Sequence, residues 1–74
     1  RMAPVDKKRE LLAARLRQLY AADRNALDIY TDLAKRCDWP DMKEQLQSIA
    51  RDEGRHMRLG REILGLLGVP EQGR

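Results

Sequence analysis

Phenylalanine is absent from this chain, cysteine and tryptophan occur once each, and tyrosine twice. With Cys37 as the single cysteine, no intrachain disulfide can staple the fold. Without a set of aromatic platforms, single-stranded nucleic acid has nothing to stack on. The apolar runs are far too short to span a bilayer, and nothing resembles a secretory signal. No strand-like alternation, repeat or low-complexity stretch occurs. A reduced, cytoplasmic setting with no membrane partner is the expectation. The opening Arg1-Met2 reads as an added remnant or the start of a fragment, since a natural start would be the methionine.

Fifteen basic residues against twelve acidic ones leave a net charge of +3 and a pI near 9.4. The basic side chains are spread along the chain and interleaved with acids, from Lys7, Lys8 and Arg9 to Arg55, Arg58 and Arg61. That pattern reads as solvated helix faces, not a groove-shaped stripe, so no nucleic-acid partner is expected. Seventy-four residues make at most one small domain, here 1–74, and two helices cannot enclose a core of their own. Chains this short add disulfides, a metal or a partner subunit. With the disulfide excluded, metal and oligomerisation remain.

The pattern predicts an all-α chain: a two-helix antiparallel hairpin. Helix one starts near Pro4-Val5-Asp6, with a body from about 6 to 37. Asp38-Trp39-Pro40-Asp41 forms the turn at 38–41, because Pro40 disfavours helix before it and lacks a donor. Asp41 with Glu44 reads as a capping pair opening helix two, which runs about 41–67 and stops at Gly68, with Pro70 beyond. Residues 71–74 read as a frayed tail.

At alternating three- and four-residue steps, one face of helix one reads Leu12, Leu16, Leu19, Asp23, Ala26, Tyr30, Leu33, Cys37. The second helix gives Leu46, Ile49, Glu53, His56, Gly60, Ile63, Leu67. These series read as the inward seam of two amphipathic helices. A second apolar row lies beside it: Tyr20, Leu27 and Ala34, then Ala50, Met57 and Leu64. A hairpin would expose much of so wide a stripe, and exposed apolar surface on this scale marks an interface. Two hairpins meeting face to face would complete a four-helix bundle. Gly60 on the seam points to close backbone approach, and Cys37 to a small apolar filler.

Only Asp23, Glu53 and His56 interrupt the seam. Burying a lone carboxylate is costly enough that such groups are paired or bind a metal. A Glu and a His at i and i+3 leave one helix in the same direction, as two ligands of one ion must. Asp23 lies about 16 residues before the turn centre and Glu53/His56 about 14 to 17 after it. At roughly 1.5 Å per residue both sets stand about 21–26 Å from the turn. A two-fold partner doubles the set to four carboxylates and two histidines, the inventory of a carboxylate-bridged dinuclear site. Oxygen and imidazole ligands together suit iron or manganese and accept zinc. The same trio could instead be a buried polar network that fixes helix register.

Asp23-x-x-Ala26-x-x-x-Tyr30, followed by Glu53-x-x-His56, resembles the ferritin-like superfamily. It is similar to the rubrerythrin half-motif Glu-x-x-Ala-x-x-x-Tyr with Glu-x-x-His, and in its single-hairpin length it is most similar to an encapsulated ferritin. The resemblance spans about residues 12–67. It implies a dimer forming a ferritin-like four-helix bundle with a di-iron site between subunits, oxidising Fe²⁺ with O₂ in iron storage or detoxification. Catalytic and metal-binding roles carry over to Asp23, Glu53 and His56: Glu53 as the bridge, His56 as a terminal ligand, Asp23 in the first-helix carboxylate position. Tyr30 matches the family tyrosine beside that centre. An encapsulin shell as partner, with the protein inside its compartment, is implied by the encapsulated-ferritin likeness. The family has Glu where this chain has Asp23, which reaches roughly 1.3 Å less, against metal–oxygen bonds of about 2.0–2.2 Å. Either the helices close in, or a water intervenes, or that ligand is lost. The tail Val69-Pro70-Glu71-Gln72-Gly73-Arg74 does not resemble an encapsulin-targeting extension. A peroxide-reducing, rubrerythrin-like enzyme would be expected to carry a four-cysteine rubredoxin motif, which this sequence lacks. The reading from the other function class is a non-catalytic helical dimerisation module with a structural metal or a polar network.

Overall fold

Two long helices laid side by side make up the whole of the described chain, residues 4–68 of this computed structural model. Helix α1 runs Pro4–Arg36 and α2 runs Pro40–Leu67, joined by residues 37–39 into a helical hairpin. Residues 71–74, read from sequence as a frayed tail, lie outside the described residues, as do Val69 and Pro70.

The turn departs from the expected capping pair. Helix α2 opens at Pro40, with Trp39 extended before it (φ −98°, ψ 117°), and no side chain caps it. Proline suits this first position because its φ is already helical and its missing N–H is one that would lack a helical partner anyway. The first helical bond is Lys43 N–H to the Trp39 carbonyl at 2.8 Å, so Asp41 already sits inside the helix. Its carboxylate accepts only from the adjacent Met42 N–H at 3.2 Å. Cys37 is buried at the end of α1, and its thiol faces the Trp39 carbonyl at 3.5 Å. At the far end Gly68 takes the left-handed conformation (φ 74°) and its N–H closes back on the Gly65 and Leu64 carbonyls. Only glycine adopts that backbone without strain.

The faces are apportioned differently from the sequence reading. The helices meet along Ala13, Leu27 and Ala34 on α1 and Ala50, Met57 and Leu64 on α2, all buried or half-buried. This is the row placed beside the seam, extended by Ala13 and with Tyr20 half-buried at its edge, and its small alanines let two helices approach. Of the expected seam itself, Leu16, Asp23, Ala26, Tyr30, Leu46, Glu53, Gly60 and Leu67 are half-buried and Cys37 is buried. Leu12, Leu19, Leu33, Ile49 and Ile63 are exposed, and so is His56. Two cylinders touch along one line, so two helices can cover only one narrow stripe. Gly60 is a further correction: a Cβ built there meets nothing within 4 Å. No backbone crosses it, and it forms part of an open groove wall instead.

Among the described residues Leu64 is the one large side chain fully buried between the helices, at 1% exposure, whereas Leu66 two residues on is 87% exposed. Leu64→Ala should therefore cost about 2 kcal/mol or more, and Leu66→Ala less than about 0.5 kcal/mol. Urea unfolding followed by far-ultraviolet circular dichroism at fixed protein concentration checks the pair.

Candidate metal centre

The antiparallel pairing brings the middle of α1 to the middle of α2. Asp23 stands on the edge of the α1 contact stripe, and Glu53 and His56 project one above the other from the matching edge of α2. The structure brings all three together: one ligand atom from each lies within 4.8 Å of the other two. His56 Nδ1 faces Glu53 Oε1 at 3.1 Å. Glu53 is the better covered, its side chain 18% exposed against 48% for His56.

Those separations suit ion binding. Two ligands at right angles, each about 2.1–2.2 Å from one metal, stand about 3.0–3.1 Å apart, the Glu53–His56 spacing. Opposite ligands of one ion stand at most about 4.4 Å apart, so a spread of up to 4.8 Å suits two neighbouring ions or a shift of a few tenths of an ångström. Asp23 thus joins the group despite its shorter side chain. Two carboxylates and an imidazole are a hard-to-borderline donor set, suited to iron, manganese or zinc. One chain supplies too few donors to surround an ion pair.

The surroundings of the trio are apolar and open. A groove of about 180 Å³ is walled by Leu16, Leu19, Tyr20, Leu59, Gly60 and Ile63, with Asp23 and His56 at its polar end. Leu59 was missed from sequence because it belongs to neither row. The step from His56 to Leu59 to Ile63, three and then four residues, would have revealed it as the outer edge of the same face. Tyr20, read as packing with a polar tip, has its hydroxyl 3.5 Å from the Arg61 guanidinium. Tyr30 is half-buried on the face that carries Asp23, two turns towards the hairpin end, and does not line the groove. Glu62, one position off the seam, is exposed beside Arg55 and Arg58.

A family model described as a domain of unknown function (DUF892) matches residues 7–74. The chain belongs to the DUF892 family. That family is part of the ferritin-like superfamily, which accounts for the half-motif spacing from Asp23 to His56. No curated protein and no solved structure matches the chain. Within this DUF892 chain the trio's carboxylate on α1 is an aspartate, and among the described residues no helix is long and apolar enough to cross a membrane.

Ion binding to this trio should raise thermal stability, because a ligand held only by the folded form shifts the equilibrium towards it. Co²⁺, Mn²⁺ or Zn²⁺ at about 100 times Kd should contribute about 2.7 kcal/mol, read as a higher Tm. The gain should vanish in Glu53→Ala and His56→Ala and persist in Glu62→Ala.

Proposed function

We propose that this chain binds iron at a site completed between two hairpins and oxidises Fe²⁺ to Fe³⁺ with O₂, in iron storage or detoxification. The observation that carries the reading is the convergence of Asp23, Glu53 and His56 at the end of an uncovered apolar groove. Half a ligand set and an unpaired apolar face lie on the same side of the hairpin, so one event, association with a second copy, would complete both. The two-fold partner would bring a second Asp23, Glu53 and His56 against the first.

Iron is the substrate here, and each ferrous ion would give up one electron to O₂. The protein's part is to hold and orient. Glu53, the best covered of the three, would bridge; His56 would bind at one end; Asp23 would bring negative charge from the other helix. Leu16, Leu19, Leu59 and Ile63 would exclude bulk water once covered, which strengthens each charge interaction inside. Manganese or zinc could occupy the same donors, with zinc unable to do the redox step. The finer likeness to encapsulated ferritins, with an encapsulin shell and its compartment, belongs to this proposal and is supported by the spacings alone.

A second reading is favoured by the 3.1 Å contact between His56 and Glu53, which satisfies both groups without an ion. In that reading the hairpin is a dimerisation module and the trio a polar register device or a static zinc staple. Protein made in iron-supplemented medium separates the two: the first predicts bound iron and a ferric absorbance that grows in air, the second neither.

The oligomer can be tested directly. Leu19→Asp with Ile63→Asp should convert an associated form to the single hairpin in sedimentation analysis, since charges cannot be buried there unpaired. The aspartate is tested by lengthening it. Asp23→Glu should raise iron affinity or the rate of O₂-dependent oxidation if reach is what limits Asp23, and should lower stability through overpacking if the helices have already closed around it.

A further inference from the structure

The opposite face of the hairpin is built differently. Near the turn, Thr31 and Lys35 of α1 stand across from Lys43, Gln47 and Arg51 of α2, around a cleft of about 540 Å³ floored by Ala34 and Ala50. On α2 the polar residues are four apart, Lys43, Gln47 and Arg51, and on α1 Thr31 and Lys35 are likewise four apart. Each set forms a straight row along its helix, and the rows face each other. Every polar residue lining the cleft has a hydrogen-bond donor, three are cations, and no carboxylate is among them.

These cations lack acidic partners. The ion pairs Arg9–Asp6, Arg36–Asp32 and His56–Glu53 all lie away from the cleft, and no ion pair of Lys35, Lys43 or Arg51 occurs among the described residues. Lys35 can be explained by helix electrostatics, since it sits in the last turn of α1, where a cation is favourable. Lys43 cannot. It is the fourth residue of α2 and half-buried, at the helix end where the backbone dipole disfavours positive charge. Arg51 lies two turns further on, pointing back to the same floor. Small side chains at Ala34 and Ala50 leave the space between the rows empty. A tetrahedral oxoanion resting there would lie within reach of an ammonium pair at one end, a guanidinium at the other and the Thr31 and Gln47 side chains between.

We propose that this cleft binds a phosphate group, either free inorganic phosphate or the terminal group of a phosphomonoester. The site is independent of the proposed metal centre, which lies on the other face of the hairpin. It would offset the mutual repulsion of three clustered cations and tie α1 to α2 beside the turn.

The test is titration of the whole chain, without added iron, with inorganic phosphate and separately with adenosine monophosphate. Ionic strength is held constant with chloride, and backbone amide resonances are the readout. Phosphate should move the amides of Thr31, Lys35, Lys43, Gln47 and Arg51 along one saturating curve. Lys43→Gln and Arg51→Gln should each weaken it about five- to tenfold, and Arg55→Gln should leave it unchanged. All three residues substituted are at least partly exposed, and circular dichroism confirms that the helices remain. Tighter binding of the nucleotide supports a phosphomonoester as occupant, and tighter binding of inorganic phosphate supports the free ion. Shifts spread evenly over the arginine-bearing turns of α2, or an affinity unchanged in both cleft variants, would overturn the proposal.

Discussion

Two helices share one line of contact, and this chain carries apolar residues for two. Burial along the inner line, from Ala13 past Leu27 and Ala34 and from Ala50 past Met57 to Leu64, is what holds the hairpin. Much of the adjacent stripe is left in water: Leu12, Leu19, Leu33, Ile49 and Ile63 are all exposed. A chain with a single cysteine has no covalent means of compensating. The same physics that makes the core thin leaves this apolar surface open, and the proposed function assigns it to association with a second hairpin. The candidate ligand trio Asp23, Glu53 and His56 lies between these two zones, positioned by the inner line and opening towards the outer one.

That placement explains the unequal coverage of the ligands. Glu53 is next to the contact line and mostly covered, while His56, one turn on and rotated outward, is about half exposed. An ion held by such a set would take further donors from water or, in the proposed function, from a second hairpin. The opposite face carries its charge in the open, with Lys35, Lys43 and Arg51 around an alanine floor. One side of the hairpin is thus apolar with acids and an imidazole at its middle, and the other is cationic near the turn.

Much of this was legible before any coordinates. Helix identity, the break at Asp38-Trp39-Pro40 and the stop at Gly68 follow from local chemistry: apolar periodicity, proline geometry and a residue that tolerates positive φ. The convergence of Asp23 with Glu53 and His56 followed from counting rise per residue on each side of the turn, a quantity that helix regularity makes reliable. What periodicity cannot decide is which of two neighbouring stripes faces the partner helix. Both repeat at the same interval, and the choice turns on side-chain size, which favoured the alanine-bearing row. The same ambiguity hid Leu59 and made Gly60 read as a close approach when it borders an open groove. The start of α2 falls at Pro40, beside the expected position, but the Asp41–Glu44 capping pair does not form, because proline at the first position does a capping residue's work without any hydrogen bond.

Crystals of the chain soaked in Fe²⁺ under exclusion of air, with anomalous scattering recorded at the iron edge, test the central claim most directly. The account predicts two iron peaks across a two-fold axis between hairpins, each bonded to Glu53 and His56 and with an Asp23 oxygen in or beside the coordination shell. Iron bound elsewhere on the chain, or an iron-free trio with Leu19 and Ile63 open to solvent, would contradict it.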